Sequence, residues 1–227
     1  MTAIDPAPLE WSHLGRIRYA PALALQLERR DAVQQGTGAE AVFTLEHEPV
    51  ITLGRRAVGD DVVVPRAWLE SRGVDVIEAD RGGEVTYHGP GQLVVYAIVD
   101  LNRRKLGPGD LVRHLAEAIR GVVAALGVDA AYDPDRPGLW VDDAKLTAVG
   151  MRIQRGVSTH GAALNVTTDL DAFRWIVPCG LPGAAATSLA ALGADPPPIE
   201  TIARQVVDAF AARLGSTITP TPRPPHA

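Results

Sequence analysis

A chain of 227 residues, 46% hydrophobic and 22% charged, can bury a real core in one large domain or two small ones. Its net charge of −5 gives no general attraction to nucleic acid or an anionic membrane, and its single cysteine, Cys179, excludes an intrachain disulfide and a cysteine-based zinc site. The opening MTAIDPAPLEW lacks the charged and apolar regions of a secretory signal, and the most apolar helix candidate, Leu111 to Leu126, carries Arg113, His114, Glu117 and Arg120 and so is no membrane span; the expected compartment is the cytoplasm.

The elements alternate along the chain. His13 to Tyr19 reads as a short strand, and Pro21 as the first residue of a helix running to about Val33, with Leu23, Leu25 and Leu27 apolar. Ala41 to Leu45 and Val50 to Leu53 read as strands. Pro65 to Ser71 is a short helix ended by Gly73, with a strand at Val74 to Ile77. Gln92 to Val99 is almost wholly apolar and β-branched, which predicts a central strand. Leu111, Leu115, Ile119, Val122 and Leu126 recur at helical spacing and make one buried stripe. Lys145 to Ile153 and Ala162 to Val166 pair around a turn near Arg155-Gly156. Ile202, Val206, Phe210 and Leu214 mark a last amphipathic helix. The expected class is α/β or α+β, with a single domain over 9–215 and a proline-rich, disordered tail over 216–227.

Chemistry concentrates in three places. RGGEVTYHGPGQLVVY, Arg81 to Tyr96, sets four glycines and several polar side chains before a core strand. Its glycines allow positive φ and close approach to a ligand, although no nucleotide-binding fingerprint is met. A loop whose glycines only make turns leaves Arg81, Thr86, Tyr87 and His88 unexplained, and a substrate-facing loop accounts for them. Cys179 in IVPCGLPG stands between Pro178 and Gly180. It reads either as a small buried hydrophobe or as a thiol presented by a sharp turn, whose activation needs a nearby base or cation. The chain has 20 arginines and two lysines. Lys105 lies in the basic run NRRKLG, whereas Lys145 opens the strand-like KLTAVGMRIQRG. Lysine can exchange a proton where arginine cannot, so Lys145 reads either as a proton-transfer group or as a strand-start residue facing water. The histidines show no metal-binding spacing, and no G-x-S-x-G elbow occurs.

Taken together, RGGEVTYHGPGQLVVY, KLTAVGMRIQRGVSTHGAALNV and the late PCG resemble, in order and spacing, the lipoyl(octanoyl) transferases, from about Leu9 to Leu214. The resemblance implies the biotin/lipoate protein ligase fold, a mixed and largely antiparallel sheet flanked by helices. It implies transfer of an octanoyl or lipoyl group from acyl carrier protein to a lysine of lipoyl domains, those of 2-oxoacid dehydrogenase complexes and the glycine cleavage H protein, with no cofactor. Cys179 matches the acyl-thioester nucleophile and Lys145 the lysine that activates it and relays protons. Arg81, Gly82, Gly83, Glu84, Val85, Thr86, Tyr87 and His88 match one substrate-binding segment, and Ala148, Val149, Gly150 and Gly161, Ala162, Ala163 match two more. Departures are Glu84 for a common aspartate, Ser158-Thr159 for a pair usually holding an aromatic, and Val177 for a frequent asparagine.

Three rival classes stand beside this reading. An ATP-dependent lipoate or biotin ligase shares the implied fold but would need a nucleotide site. A cysteine hydrolase would pair Cys179 with His88 or His160. A non-enzymatic carrier-binding module would use the basic runs Arg55-Arg56 and Arg103-Arg104-Lys105 to dock an acidic acyl carrier protein, though each run reads equally as solvated charge.

Overall fold

The computed structural model describes residues 8–58, 61–177 and 185–224. In chain order the elements are β1 (Leu9–Ile17), α1 (Tyr19–Gln34), β2 (Ala41–His47), β3 (Val50–Leu53), α2 (Arg66–Glu70), β4 (Asp75–Glu78), β5 (Val85–His88), β6 (Gln92–Ile98), α3 (Leu101–Arg104), α4 (Pro108–Ala125), β7 (Ala131–Tyr132), β8 (Gly138–Val141), β9 (Ala144–Gln154), β10 (Val157–Asn165), β11 (Ala185–Ala186), α5 (Ile199–Arg213) and β12 (Ile218–Pro220).

Among the described residues the large sheet runs β12-β1-β2-β6-β10-β9-β8-β7, with β11 added beside β9. Pairing is antiparallel from β2 through β7 and parallel at β12–β1, β1–β2 and β11–β9. Every residue of β6 and β10 is buried, as expected for strands with helices on both faces. On one face α4 and α5 cover Leu93, Val95, Ala162 and Leu164. On the other α1 covers Val94, Tyr96 and Ala163. The result is a mixed, mostly antiparallel sheet flanked by helices. No helix among the described residues is long and apolar enough to cross a membrane.

Local chemistry explains the helix ends. α4 starts at Pro108, whose missing N–H is one of the unsatisfied donors of any first turn. The Asp110 carboxylate accepts from the Gly107 N–H at 3.0 Å. Leu111, Leu115, Ile119 and Val122 form its buried stripe. α1 begins two residues before Pro21, which its free first turn accommodates.

Four segments depart from the sequence reading. Val85–His88, read as part of a loop, is a strand paired antiparallel with β3, while β4 pairs parallel on β3's other side. Val85 and Tyr87 alternate into a small core with Ile51, Leu69 and Ile176, and that burial offsets the surrounding glycines. Residues 131–141, left unassigned, form the β7–β8 hairpin. Arg104, read as surface charge in NRRKLG, belongs to α3. It is half-buried against the buried Glu40, with its Nε 2.9 Å from Glu40 Oε2 and its NH1 3.0 Å from the Leu214 carbonyl. The expected disordered tail contributes β12, where Leu9, Glu10 and Trp11 pair with Ile218, Thr219 and Pro220. A proline is tolerated there because β12 is the sheet edge, where an absent N–H breaks no ladder.

Candidate functional site

The segment Arg81–Glu84 joins β4 to β5 and is stitched down on two sides. The N–H groups of Gly54, Arg55 and Arg56 donate to the carbonyls of Glu84, Arg81 and Gly83 at 2.9, 3.1 and 3.1 Å, and Gly82 N–H donates to Met151 of β9 at 3.1 Å. The approach requires glycine just past β3 and within β9. A Cβ on Gly54 would lie 2.4 Å from the Gly83 oxygen, and one on Gly150 2.8 Å from the Gly82 oxygen. The Arg81 guanidinium is buried under this loop, donating to the Thr52 carbonyl at 2.7 Å, to Thr52 Oγ1 at 2.8 Å and to the Gly82 carbonyl at 3.0 Å. Glu84 pairs with Arg56 at 2.9 Å.

Beneath the loop the large sheet supplies a floor of small residues. Ala148, Ala163 and Val94 are paired across β9, β10 and β6, as are Gly150, Gly161 and Tyr96, while Asn165 faces Gln92. A cavity of about 610 Å³ lies between floor and loop. It is lined by Arg81, Gly82, Gly83, Glu84, Val85, Thr86 and His88, by Ala148, Val149 and Gly150, by Gly161, Ala162 and Ala163, and by Lys145. The three segments singled out in the sequence thus meet around one space. Tyr87 turns away from it, packing its ring edge-on against Phe173 and Trp175 at 5.7 and 5.8 Å.

Lys145 stands near the start of β9, half-buried, with its Nζ 4.7 Å from the centroid of the Trp140 ring. The Arg136 guanidinium lies 4.2 Å from that ring's centroid. Cys179 lies outside the described residues. The chain leaves the described structure at Val177, whose N–H donates to the Asp61 carbonyl at 2.8 Å. It returns as β11, where Ala185 and Ala186 pair with Ala144 and Lys145.

A buried hydrogen-bond chain runs from the end of β5 to this returning segment. His88 Nδ1 is 2.6 Å from Gln92 Oε1. Gln92 Nε2 donates to Asn165 Oδ1 at 2.9 Å, and Asn165 Nδ2 donates to the Thr187 carbonyl at 2.9 Å. Thr187 N–H closes on the Lys145 carbonyl at 3.0 Å. Because Gln92 offers His88 an acceptor, His88 carries its proton on Nδ1. Burial holds the His88 pKa down at about 3, so the ring is neutral at pH 7. His47 sits behind it, with Nδ1 3.0 Å from the Ile17 carbonyl and Nε2 2.6 Å from the Tyr96 hydroxyl. Burial lowers its pKa to about 4. His160, at φ 61°, has Nε2 2.7 Å from Asp80 Oδ1. That bond, above all, holds the Asp80 carboxyl below its ordinary range, with a smaller contribution from Arg152 at 3.2 Å.

Gln92, Asn165, Tyr19, Tyr96 and Trp140 were not singled out from the sequence. For Gln92 and Asn165 a signal existed: each is an amide at the end of an otherwise apolar strand, QLVVYAI and GAALN, where an unpaired polar group is costly. Tyr19 and Tyr96 read locally as ordinary core aromatics.

Comparison with known proteins adds three findings. The lipoyl protein ligase A/B catalytic domain family matches residues 18–211. An octanoyltransferase of Chromohalobacter salexigens is 39% identical over 213 residues, covering 94% of both chains. Among solved structures, lipoate-protein ligase A bound with ATP superposes with a TM-score of 0.76 at 16% identity, covering 96% of this chain and 90% of that one. A bi-partite lipoate protein ligase, studied with its E2 lipoyl domain, from Thermoplasma acidophilum gives 0.73 at 16%, covering 97% and 89%.

Proposed function

This chain belongs to the lipoyl protein ligase A/B catalytic domain family and is an acyltransferase; from that premise we propose that it takes an octanoyl group from acyl carrier protein, holds it on Cys179 as a thioester, and passes it to a lysine of a lipoyl domain. The observation that carries the reading is the meeting of Lys145 and the three matched segments around one cavity with a floor of glycine and alanine. Side chains that small leave an apolar slot narrow enough for an alkyl chain.

In the first step the Cys179 thiolate attacks the donor's thioester carbonyl carbon. A new C–S bond forms, the carrier's C–S bond breaks, and the carrier thiolate takes a proton. In the second, the acceptor lysine's amine attacks the enzyme thioester, a C–N bond forms, the Cys179 C–S bond breaks, and the amine loses a proton. Lys145 gives the first proton and receives the second, so the enzyme returns to its starting state. Thioester exchange is nearly thermoneutral and amide formation is downhill, so no nucleotide is needed. A covalent intermediate lets two macromolecular partners use one site in turn.

Of the two histidines a cysteine hydrolase could use, His88 is a poor general base at neutral pH, since burial holds its pKa down at about 3. Intact-mass spectrometry after mixing with octanoyl-acyl carrier protein tests the proposal. The mass should rise by one octanoyl group, hydroxylamine should remove it, and Cys179→Ala should show none. Transfer to an apo lipoyl domain should run without ATP or magnesium. An adduct persisting in Cys179→Ala overturns the nucleophile, and a strict ATP requirement with free octanoate as donor makes the enzyme a ligase.

A further inference from the structure

The cavity differs chemically along β9. Lys145 stands toward one end, and the Gly150–Gly161–Tyr96 row lies toward the other, five residues on and about 17 Å away at strand rise. An extended eight-carbon chain spans only about 9 Å at ordinary bond lengths. An octanoyl group with its carbonyl beside Lys145 therefore stops short of the far end.

That far end is not apolar. Tyr19 and His160 both line the cavity and are 2% and 1% exposed, yet neither the Tyr19 hydroxyl nor His160 Nδ1 has a hydrogen-bond partner. Buried polar atoms left so are costly. The two belong to one cluster: Tyr96 lies 6.1 Å from the His160 ring, and Asp80, which holds His160 Nε2, also acts on Tyr19. The Tyr19 pKa is pushed up to about 12, by burial first, so its hydroxyl keeps its proton and donates. His160 holds Asp80 through Nε2, which leaves Nδ1 as the polar atom of its ring turned to the cavity without a partner.

We propose that Tyr19 and His160 form a polar subsite at the far end of the acyl cavity, which takes a hydroxyl at the end of a medium-length acyl chain and holds water when the chain is octanoyl. Two unpartnered polar groups lining one space match a hydroxyl, which can accept from one and donate to the other. The inference rests on the acyl-transfer reading above and adds a second determinant of which acyl groups the enzyme accepts. A ten-carbon chain with a terminal hydroxyl spans about 13 Å, and one bridging water closes the remaining gap of about 4 Å to the far row.

The test compares decanoyl and 10-hydroxydecanoyl thioesters of acyl carrier protein, with octanoyl as the control. The wild-type enzyme should use the hydroxylated chain at least as well as the plain one, and Tyr19→Phe should lower the hydroxylated-to-plain ratio about tenfold. Rejection of the hydroxyl by about a hundredfold in the wild-type protein, as a purely apolar pocket would give, overturns the subsite, as does an unchanged ratio in Tyr19→Phe. The wild-type ratio decides even where the variant fails to fold. If octanoyl is not transferred at all, the acyltransferase reading has failed instead. Calorimetry of free decanoate against 10-hydroxydecanoate on the wild-type chain then decides the subsite by itself: equal or tighter binding of the hydroxylated acid supports it, and weaker binding overturns it.

Discussion

Replacing Arg104 with methionine should destabilise the protein far more than its place in a basic surface run suggests. The Glu40 carboxylate it pairs with has a side chain only 1% exposed, and that of Arg104 is 9% exposed. Glu40 Oε1 also accepts from the Asp100 N–H at 2.8 Å, so the pair ties the end of β6 to α3 and, through Leu214, to the end of α5. Arg104→Met leaves a carboxylate buried and uncompensated, a loss of about 3–5 kcal/mol. For a chain of this size that corresponds to a melting temperature lower by about 6–20 °C. Urea unfolding read by fluorescence measures it, with Arg103→Glu as a control; Arg103 is exposed and should shift stability by under about 0.5 kcal/mol. Adding Glu40→Leu to Arg104→Met should recover part of the loss, since it removes the stranded charge. A loss below about 1 kcal/mol in Arg104→Met would refute the reasoning, and docking studies that reverse both arginines would then be free of a folding artefact.

Lys145→Arg keeps the charge but holds its proton, so Cys179 should still alkylate with iodoacetamide at neutral pH while octanoyl transfer falls by about a hundredfold or more; near-wild-type transfer would reduce Lys145 to an electrostatic role. His47 and His88 have folded pKa values of about 4 and about 3 against an ordinary 6.5, so below pH 6.5 the unfolded chain binds protons that the folded chain refuses. Stability is therefore full above pH 6.5 and declines toward pH 4, by on the order of 1 kcal/mol per pH unit for each ring; urea midpoints that do not change between pH 7 and 4.5 would contradict this. In Gly161→Ala the new Cβ would fall 2.0 Å from the Val95 carbonyl oxygen, forcing β10 from β6 at a cost of about 1–3 kcal/mol, which thermal unfolding detects; an unchanged melting temperature would mean that the sheet yields there.

Legibility followed how local the determining contacts are. β6 and α4 announce themselves because a continuous apolar run and a 3–4 spacing are local signals, and the structure places them within three residues of the reading; β10, read from Ala162, starts five residues earlier at Val157, because VSTHG carries no apolar run. β5 was hidden because its partner β3 lies more than thirty residues earlier, and only that pairing makes Val85 and Tyr87 inward-facing. Arg104 misled for the same reason: its partner Glu40 is 64 residues away, so a run of like charge looked solvated. The matched segments were legible as motifs because glycines at close approaches leave a compositional trace, visible at Gly91, Gly150 and Gly161. The amide chain through Gln92 and Asn165 left only two polar letters in apolar strands, with nothing to say that they meet.

The pairing of β12 with β1 has a consequence for handling the chain. β1 would otherwise present its N–H and C=O groups at an open border of the large sheet, a template on which a second molecule could add a strand. The C-terminal segment occupies that border, from the Leu9 N–H on the Thr217 carbonyl to the Thr221 N–H on the Trp11 carbonyl. Pro220 at the end of β12 and Pro222 and Pro224 beyond it present no donors of their own to a newcomer. Trimming the chain after Ser216 to obtain a neater crystallisation target would strip this guard. Concentration-dependent self-association should follow, visible as a rising mass in light scattering while catalysis per active site stays intact.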